Sequence, residues 1–252
     1  MATQPASAPF NPGIPMKREW GTALSALRRL LSNGDDTEQV FKIMRALNGD
    51  ATQRSYRKLL TVPGGGRLAY QRVELAERLT DRAWIDSFAE GTVGAAYRNF
   101  LDSTGYSADG LVEVSMTEFA DAEVEHPYTW MGRRERDVHD LWHVLTGYKA
   151  DEHLGEACLV AFSYAQTGGL GWGFIGLGAA LKSLRITGKT DFFRAVIEGY
   201  KRGKQAGWLH GEDYEALLNE PLDQARRRLN IVQPVKYQVA QASLAAAGLK
   251  GI

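Results

Sequence analysis

From Ala157 to Leu181 no side chain carries a formal charge. A run of that length must either cross a bilayer or be wrapped by protein on nearly all sides. It contains Gln166, Thr167 and glycines at 168, 169, 171, 173, 176 and 178. The Gly168-Gly169 pair predicts a break into two helices. Small residues let a neighbouring helix or a flat ligand approach the backbone closely. The run therefore reads as a buried pair of helices; a membrane span, and a helix pair that also lines a lipid groove, are the alternatives. The single cysteine, Cys158, lies inside it and reads as core, and one cysteine rules out an intramolecular disulfide.

Around this run the pattern is helical. Trp20, Leu24, Leu27, Leu30 and Leu31 are placed on one helical face. A second helix has Thr37 near its start and stops at Asn48-Gly49, and a third starts at Asp50 or Thr52 and ends before Pro63. Gly64-Gly65-Gly66 reads as a flexible turn, without the Lys-Ser/Thr of a phosphate-binding loop. Further helices are predicted over 73–89, 93–103, 116–123, 130–147, 152–167, 172–185, 190–208 and 221–228, with Leu111 to Ser115 as the one strand-like stretch. The fold class is all-α, a single multi-helix domain around a central metal-binding helical hairpin. Residues 1–16, with Pro5, Pro9, Pro12 and Pro15, read as a flexible tail with no secretory or mitochondrial leader. Residues 17–231 form the helical body and 232–252 a helical extension, docked on a partner subunit or a membrane, or loosely packed. The 30 basic and 30 acidic residues balance, which argues against nucleic-acid binding.

The chemistry concentrates in His139-Asp140-Leu141-Trp142-His143. At about 100° per residue the two imidazoles fall about 40° apart on one helix face, the spacing at which two histidines grip one cation. Asp140 can add an oxygen ligand or orient a bound water. Val138, Leu141, Trp142 and Leu145 form the opposite, core-facing stripe. Arg136 lies one turn earlier, and Gly132 and Gly147 leave room above the polar face. A helical hairpin turning between Gly147 and Asp151 brings Glu156 opposite the histidines, with Glu152 and Asp151 as alternatives. His139, Asp140, His143 and Glu156 suit Zn²⁺ or another borderline divalent ion, with Co²⁺, Fe²⁺ and Mn²⁺ also in range. The competing reading is a solvated polar face. His126 reads as a loop residue, His210 as a charged helix end, and Arg133 and Arg134 as a solvated charge run.

With His-Asp-x-x-His followed by Leu154-Gly155-Glu156, the chain resembles the coenzyme Q (ubiquinone) biosynthesis protein 4 family. Glu90-Gly91-Thr92-Val93-Gly94, the segment Tyr97-Arg98-Asn99-Phe100-Leu101-Asp102, Tyr200-Lys201-Arg202-Gly203 and Arg228-Leu229-Asn230-Ile231 extend the likeness over about Arg18 to Ile231. The family usually places eleven residues between the second histidine and the glutamate. Here there are twelve, Val144 to Gly155, and the extra one falls in the hairpin loop, where an insertion costs little.

The resemblance implies a divalent-metal protein of ubiquinone biosynthesis. The implied reaction is a metal-dependent decarboxylation, a carbon-carbon lyase step at C1 of a 4-hydroxy-3-methoxy-5-polyprenylbenzoate-type precursor. It is either simple or oxidative, with hydroxylation of that carbon. Asp140 and Arg136 are the catalytic candidates, Arg136 steering the carboxylate, with Tyr148 and His153 as further proton carriers and the stretch 168–181 as a groove for the prenyl tail. The implied partners are the polyprenylated hydroxybenzoate, other enzymes of the pathway, a membrane surface and a second copy of the chain. In a bacterium the setting is cytoplasmic, peripheral to the inner membrane. A non-catalytic prenyl-lipid scaffold and another His/Asp metallohydrolase are the rival readings.

Overall fold

The computed structural model describes residues 17–34, 36–107 and 124–246, and the helical periodicity is realised along them. In chain order the helices are α1 (Trp20–Ser32), α2 (Thr37–Leu47), α3 (Ala51–Leu59), α4 (Gly65–Gln71), α5 (Leu75–Thr80), α6 (Arg82–Asp86), α7 (Val93–Thr104), α8 (Pro127–Asp137), α9 (His139–Thr146), α10 (His153–Thr167), α11 (Leu170–Thr187), α12 (Asp191–Gln205), α13 (Tyr214–Leu217), α14 (Leu222–Arg228) and α15 (Val235–Ala246). One 3-10 turn, Leu209–Gly211, precedes α13. No strand occurs among the described residues beyond an isolated bridge between Thr92 and Pro221, so the fold is all-α. The strand-like 111–115 and the helix predicted over 116–123 lie outside the described residues, as does the tail 1–16.

The uncharged run splits at Gly168, whose φ of +66° suits glycine and caps α10. Among the described residues no helix is long and apolar enough to cross a membrane. Burial is satisfied by protein instead. Leu154, Cys158, Leu159 and Phe162 of α10 are fully buried. α12 lies on α10 through Gly199 and Gly203, one turn apart. A Cβ at these positions would fall 2.4 Å from the Cys158 carbonyl oxygen and 2.5 Å from that of Phe162. The α11 glycines are used in the same way: Gly171 faces Met44, Gly173 faces the Tyr164 ring and Gly178 faces Leu27. Neighbouring helices thus cover these glycines, while Leu177 and Leu181 of the stretch expected to receive a prenyl tail are exposed.

Several boundaries differ from the periodicity. The helix expected over 73–89 divides at Asp81, whose extended backbone and side-chain acceptance of the Trp84 N–H start α6. Gly64, at φ +76°, opens α4 instead of a free turn. The helix expected from 130 begins at Pro127, because His126 accepts the Tyr128 N–H and Thr129 closes a capping box. It is interrupted at Val138, yet Val138 N–H donates to Arg134 O and Trp142 N–H to Val138 O, so the helical rotation carries through. On α1 the buried face is Ala23, Ala26, Leu27 and Leu30, while Trp20 and Leu24 are exposed. α15 docks on its own chain through Tyr237 and Ala240, leaving Val235 and Val239 outside.

Three charged or titratable groups are buried where solvation was expected. Arg133 binds Glu74 through two hydrogen bonds of 2.7 and 3.0 Å. Arg134 donates to the Glu212 carbonyl and lies over the Trp130 and Tyr214 rings. His210 is 0 % exposed, with Trp142 and Trp208 at ring distances of 5.0 and 5.9 Å and, among the described residues, no hydrogen-bond partner on either ring nitrogen. Burial, reinforced by the charges of Arg134 and Lys58, presses its pKa down to about 3. It is a neutral core histidine, not a cation at a helix end.

Candidate metal centre

α9 carries its core stripe, Val138, Leu141, Trp142 and Leu145, into the interior and ends at Gly147, which turns at φ +77°. The chain then returns as α10. A Cβ on Gly155 would sit 1.9 Å from the Lys149 carbonyl oxygen, so glycine is required for the loop to lie on the first turn of α10. That close approach brings the next residue, Glu156, against α9. The two imidazoles and this carboxylate converge: His143 Nε2 is 3.1 Å from Glu156 Oε1 and His139 Nε2 is 3.7 Å from Oε2. One ligand atom from each of the three lies within 4.8 Å of the others.

The far side of each ring bears on where its proton sits. His143 Nδ1 is 3.0 Å from the Tyr148 carbonyl oxygen. A carbonyl only accepts, so Nδ1 carries the hydrogen. His139 Nδ1 is likewise 3.2 Å from Asp140 Oδ1. In the neutral imidazoles both Nε2 lone pairs then aim at an acceptor, the Glu156 carboxylate. Among the described residues His143 Nε2, which is buried, makes no aligned hydrogen bond. A proton on Nε2 or a cation between the groups would relieve that repulsion, and for neutral imidazoles only a cation does. Two imidazoles, each anchored by Nδ1 to an oxygen, and one carboxylate match the donor set of a divalent-metal site with its outer hydrogen bonds.

The electrostatics of the three groups favour opposite charges on histidine and glutamate. Burial opposes charge on His139, but the Asp140 hydrogen bond and the negative charges of Glu156 and Asp140 outweigh it and lift its pKa. Burial likewise opposes ionisation of Glu156, and His143 with His139 overcomes it and holds the carboxyl low. The His143 side chain is sealed from solvent, whereas 36 % of the Glu156 side chain stays exposed. An ion held here would keep its Glu156 side open to ligands, the arrangement of catalytic rather than structural sites.

The predicted residues separate as follows. His139, His143 and Glu156 come together. Asp140 stands behind His139, on Nδ1, outside that group of three. Glu152, the alternative to Glu156, is engaged elsewhere by Tyr237 Oη and Gln241 Nε2, and Asp151 is exposed. Arg136 pairs with Asp137 at 2.8 Å, and Asp137 also accepts the Ala76 N–H. Tyr148 contributes its carbonyl, while its ring lies against Tyr237 and Arg202.

Three neighbours escaped sequence reasoning as parts of the site. Phe100 of α7 stacks on His143 at 6.0 Å and 18°. Trp172 of α11 stacks on His139 at 6.4 Å and 15°. Glu135 of α8 accepts the Trp172 indole N–H at 2.7 Å. The spacing of Glu135 and His139, four residues apart, was the one available signal.

A sequence model of coenzyme Q (ubiquinone) biosynthesis protein Coq4 matches residues 14–235. The chain is 30% identical over 175 residues to the mitochondrial ubiquinone biosynthesis protein COQ4 homolog of Danio rerio, covering 68% of this chain and 61% of that protein. It is 26% identical over 185 residues to the mitochondrial COQ4 of Scheffersomyces stipitis, covering 72% of this chain and 55% of that one. The chain thus spans a little over half the length of such curated relatives. The crystal structure of a protein assigned to ubiquinone biosynthesis from Nostoc punctiforme superposes with a TM-score of 0.60 at 21% identity, covering 85% of this chain and 99% of that one. That likeness concerns the fold.

Proposed function

The chain belongs to the coenzyme Q (ubiquinone) biosynthesis protein 4 family, and from that premise we propose that it is a metal-dependent decarboxylase acting at C1 of a 4-hydroxy-3-methoxy-5-polyprenylbenzoate-type precursor. One observation carries the reading: two imidazoles, each with Nδ1 committed to an oxygen, turn Nε2 toward the single carboxylate of Glu156. His139, His143 and Glu156 would hold the ion, Zn²⁺ fitting the two-nitrogen, one-carboxylate set. A bound divalent ion supplies Lewis-acid charge to an anionic oxygen of the substrate.

The chain's own residues do the rest. Asp140 keeps the proton of His139 on Nδ1 and so leaves Nε2 free as a donor of electrons. The Tyr148 carbonyl does the same for His143. The exposed side of Glu156 is the side from which a ring would approach. In the simple reaction a proton adds first to C1, and the 4-oxygen takes up the charge this leaves on the ring. The bond between C1 and the carboxylate then breaks, carbon dioxide leaves, and the electron pair of that bond returns to the ring and restores the aromatic system. Arg136, the candidate for steering the carboxylate, is held by Asp137 and would have to turn from it to meet an anionic substrate.

Work at a membrane surface is supported by α1 and α11. These helices meet where Leu27 covers Gly178 and Trp20 meets Phe174. Trp20, Leu24, Leu177 and Leu181 remain exposed. Between them the two helices carry Arg28, Arg29, Lys182 and Arg185 and no acidic residue, a composition that suits an anionic lipid surface.

The test is incubation of Zn²⁺-loaded and chelated protein with a short-chain prenylated 4-hydroxy-3-methoxybenzoate, read by mass spectrometry, with and without oxygen. Metal-dependent loss of the carboxyl group is the expected result. Retention of a prenylated lipid with no turnover in any metal form would favour the scaffold reading instead.

A further inference from the structure

Each metal-site histidine has two restraints, one on Nδ1 and one on its ring face. For His143 these are the Tyr148 carbonyl and the parallel Phe100 ring, itself lodged between Tyr97 at 6.2 Å and Tyr106 at 6.0 Å. For His139 they are Asp140 and the parallel Trp172 ring. A hydrogen bond to Nδ1 alone leaves the imidazole free to rock about that bond. A parallel aromatic face removes this freedom only if the aromatic ring is itself fixed.

Trp172 is half-buried at the start of α11, on a helix packed through glycines. What holds it is Glu135, whose Oε1 accepts the indole N–H at 2.7 Å. Among the described residues Glu135 makes no ion pair, and that hydrogen bond is its side chain's sole polar contact. A carboxyl group withdrawn from water with no countercharge is costly to keep. Burial pushes this one up to about 7, and the indole bond offsets that only in part.

Glu135 stands four residues before His139, and the hydrogen bonds through Val138 keep the two in helical register. The geometry points to Glu135 and Trp172 as a positioning pair for the metal site: Glu135 fixes the indole, and the indole fixes the plane of the His139 ring. Neither touches the reacting atoms. The inference rests on the metal reading above and adds to it the device that presets one of its ligands.

The indole needs only an acceptor oxygen, so Glu135→Gln keeps the contact, whereas Glu135→Ala removes it. Trp172→Phe keeps the ring face and loses the N–H. Co²⁺ titration of the chelated full-length protein, followed by visible ligand-field absorption, reads the affinity and geometry of the site directly. Loss of an outer-shell partner of this kind weakens metal binding by about 10-fold or more. Glu135→Ala should show that loss with an altered band shape, Glu135→Gln should stay within about 3-fold of the parent, and Trp172→Phe should weaken binding without adding to Glu135→Ala in the double variant. Thermal melts of the chelated proteins separate this from loss of fold.

Parent protein that binds Co²⁺ no better than Glu135→Ala, or Glu135→Gln that falls as far as Glu135→Ala, overturns the pair and leaves the metal reading standing. Parent protein that takes up no Co²⁺ at all overturns both.

Discussion

Acid should destabilise the folded chain through His210, and replacing that residue with leucine should remove its share. In the unfolded chain the imidazole titrates at its ordinary 6.5; folded, it is pressed down to about 3. Folding therefore depresses a base, and between those two values the unfolded state takes a proton that the folded state refuses. The sign follows: stability is whole above pH 6.5 and is lost as pH falls below it, at about 1.4 kcal/mol per pH unit. From pH 7 to pH 5 the loss comes to about 2 kcal/mol, a large part of a typical stability of about 5–15 kcal/mol. Urea unfolding in chelator, followed by tryptophan fluorescence at both pH values, measures it. Packing lost against Trp142 and Trp208 in His210→Leu counts equally at each pH, and Glu135, Asp137 and the site histidines are common to both proteins. The difference between the two pH responses therefore isolates His210. If parent and variant lose stability equally, within about 0.5 kcal/mol, the buried neutral histidine is refuted.

Further outcomes follow from close approaches. Gly155→Ala puts a Cβ 1.9 Å from the Lys149 carbonyl oxygen; it should displace Glu156, lower Zn²⁺ content measured by elemental analysis, and cost about 1–3 kcal/mol or more. Gly199→Ala, 2.4 Å from the Cys158 carbonyl oxygen, should lower the melting temperature by about 3–10 °C while leaving metal content unchanged, because Cys158 and Glu156 fall about 200° apart around α10. Leu177→Ser with Leu181→Ser should reduce co-sedimentation with anionic vesicles while leaving turnover of a short-tailed soluble substrate as it was.

The parts of this molecule legible from sequence are those written in short range. Helices with an apolar period and a capping residue emerged where expected, and His139, His143 and Glu156 were visible because i, i+4 spacing and a tight hairpin are local rules. What stayed hidden depends on partners far along the chain. Arg133 reads as a solvated cation until Glu74, 59 residues away, is found beside it. Trp172 and Phe100 resemble any core aromatic until the fold lays them on the imidazoles. Asp81 breaks an otherwise continuous pattern because its side chain competes for the Trp84 N–H. Asp140 followed the helical angle correctly, yet its carboxylate turned to the neighbouring ring nitrogen, a choice of rotamer that helical periodicity does not encode. The glycines of 168–181 read first as helix packing, with a lipid groove as the alternative, and the atoms they pack against, on Met44, Tyr164 and Leu27, belong to partners that periodicity does not name.

X-ray absorption on Zn²⁺-titrated protein, compared with Glu156→Gln, tests the central claim most directly. The account predicts about one tightly held ion per chain, with two imidazole nitrogens at about 2.0–2.1 Å and oxygen ligands completing the shell, and loss of that ion from Glu156→Gln while the helical content stays the same. Zinc bound equally well by parent and variant, or a spectrum without imidazole scattering, would contradict it.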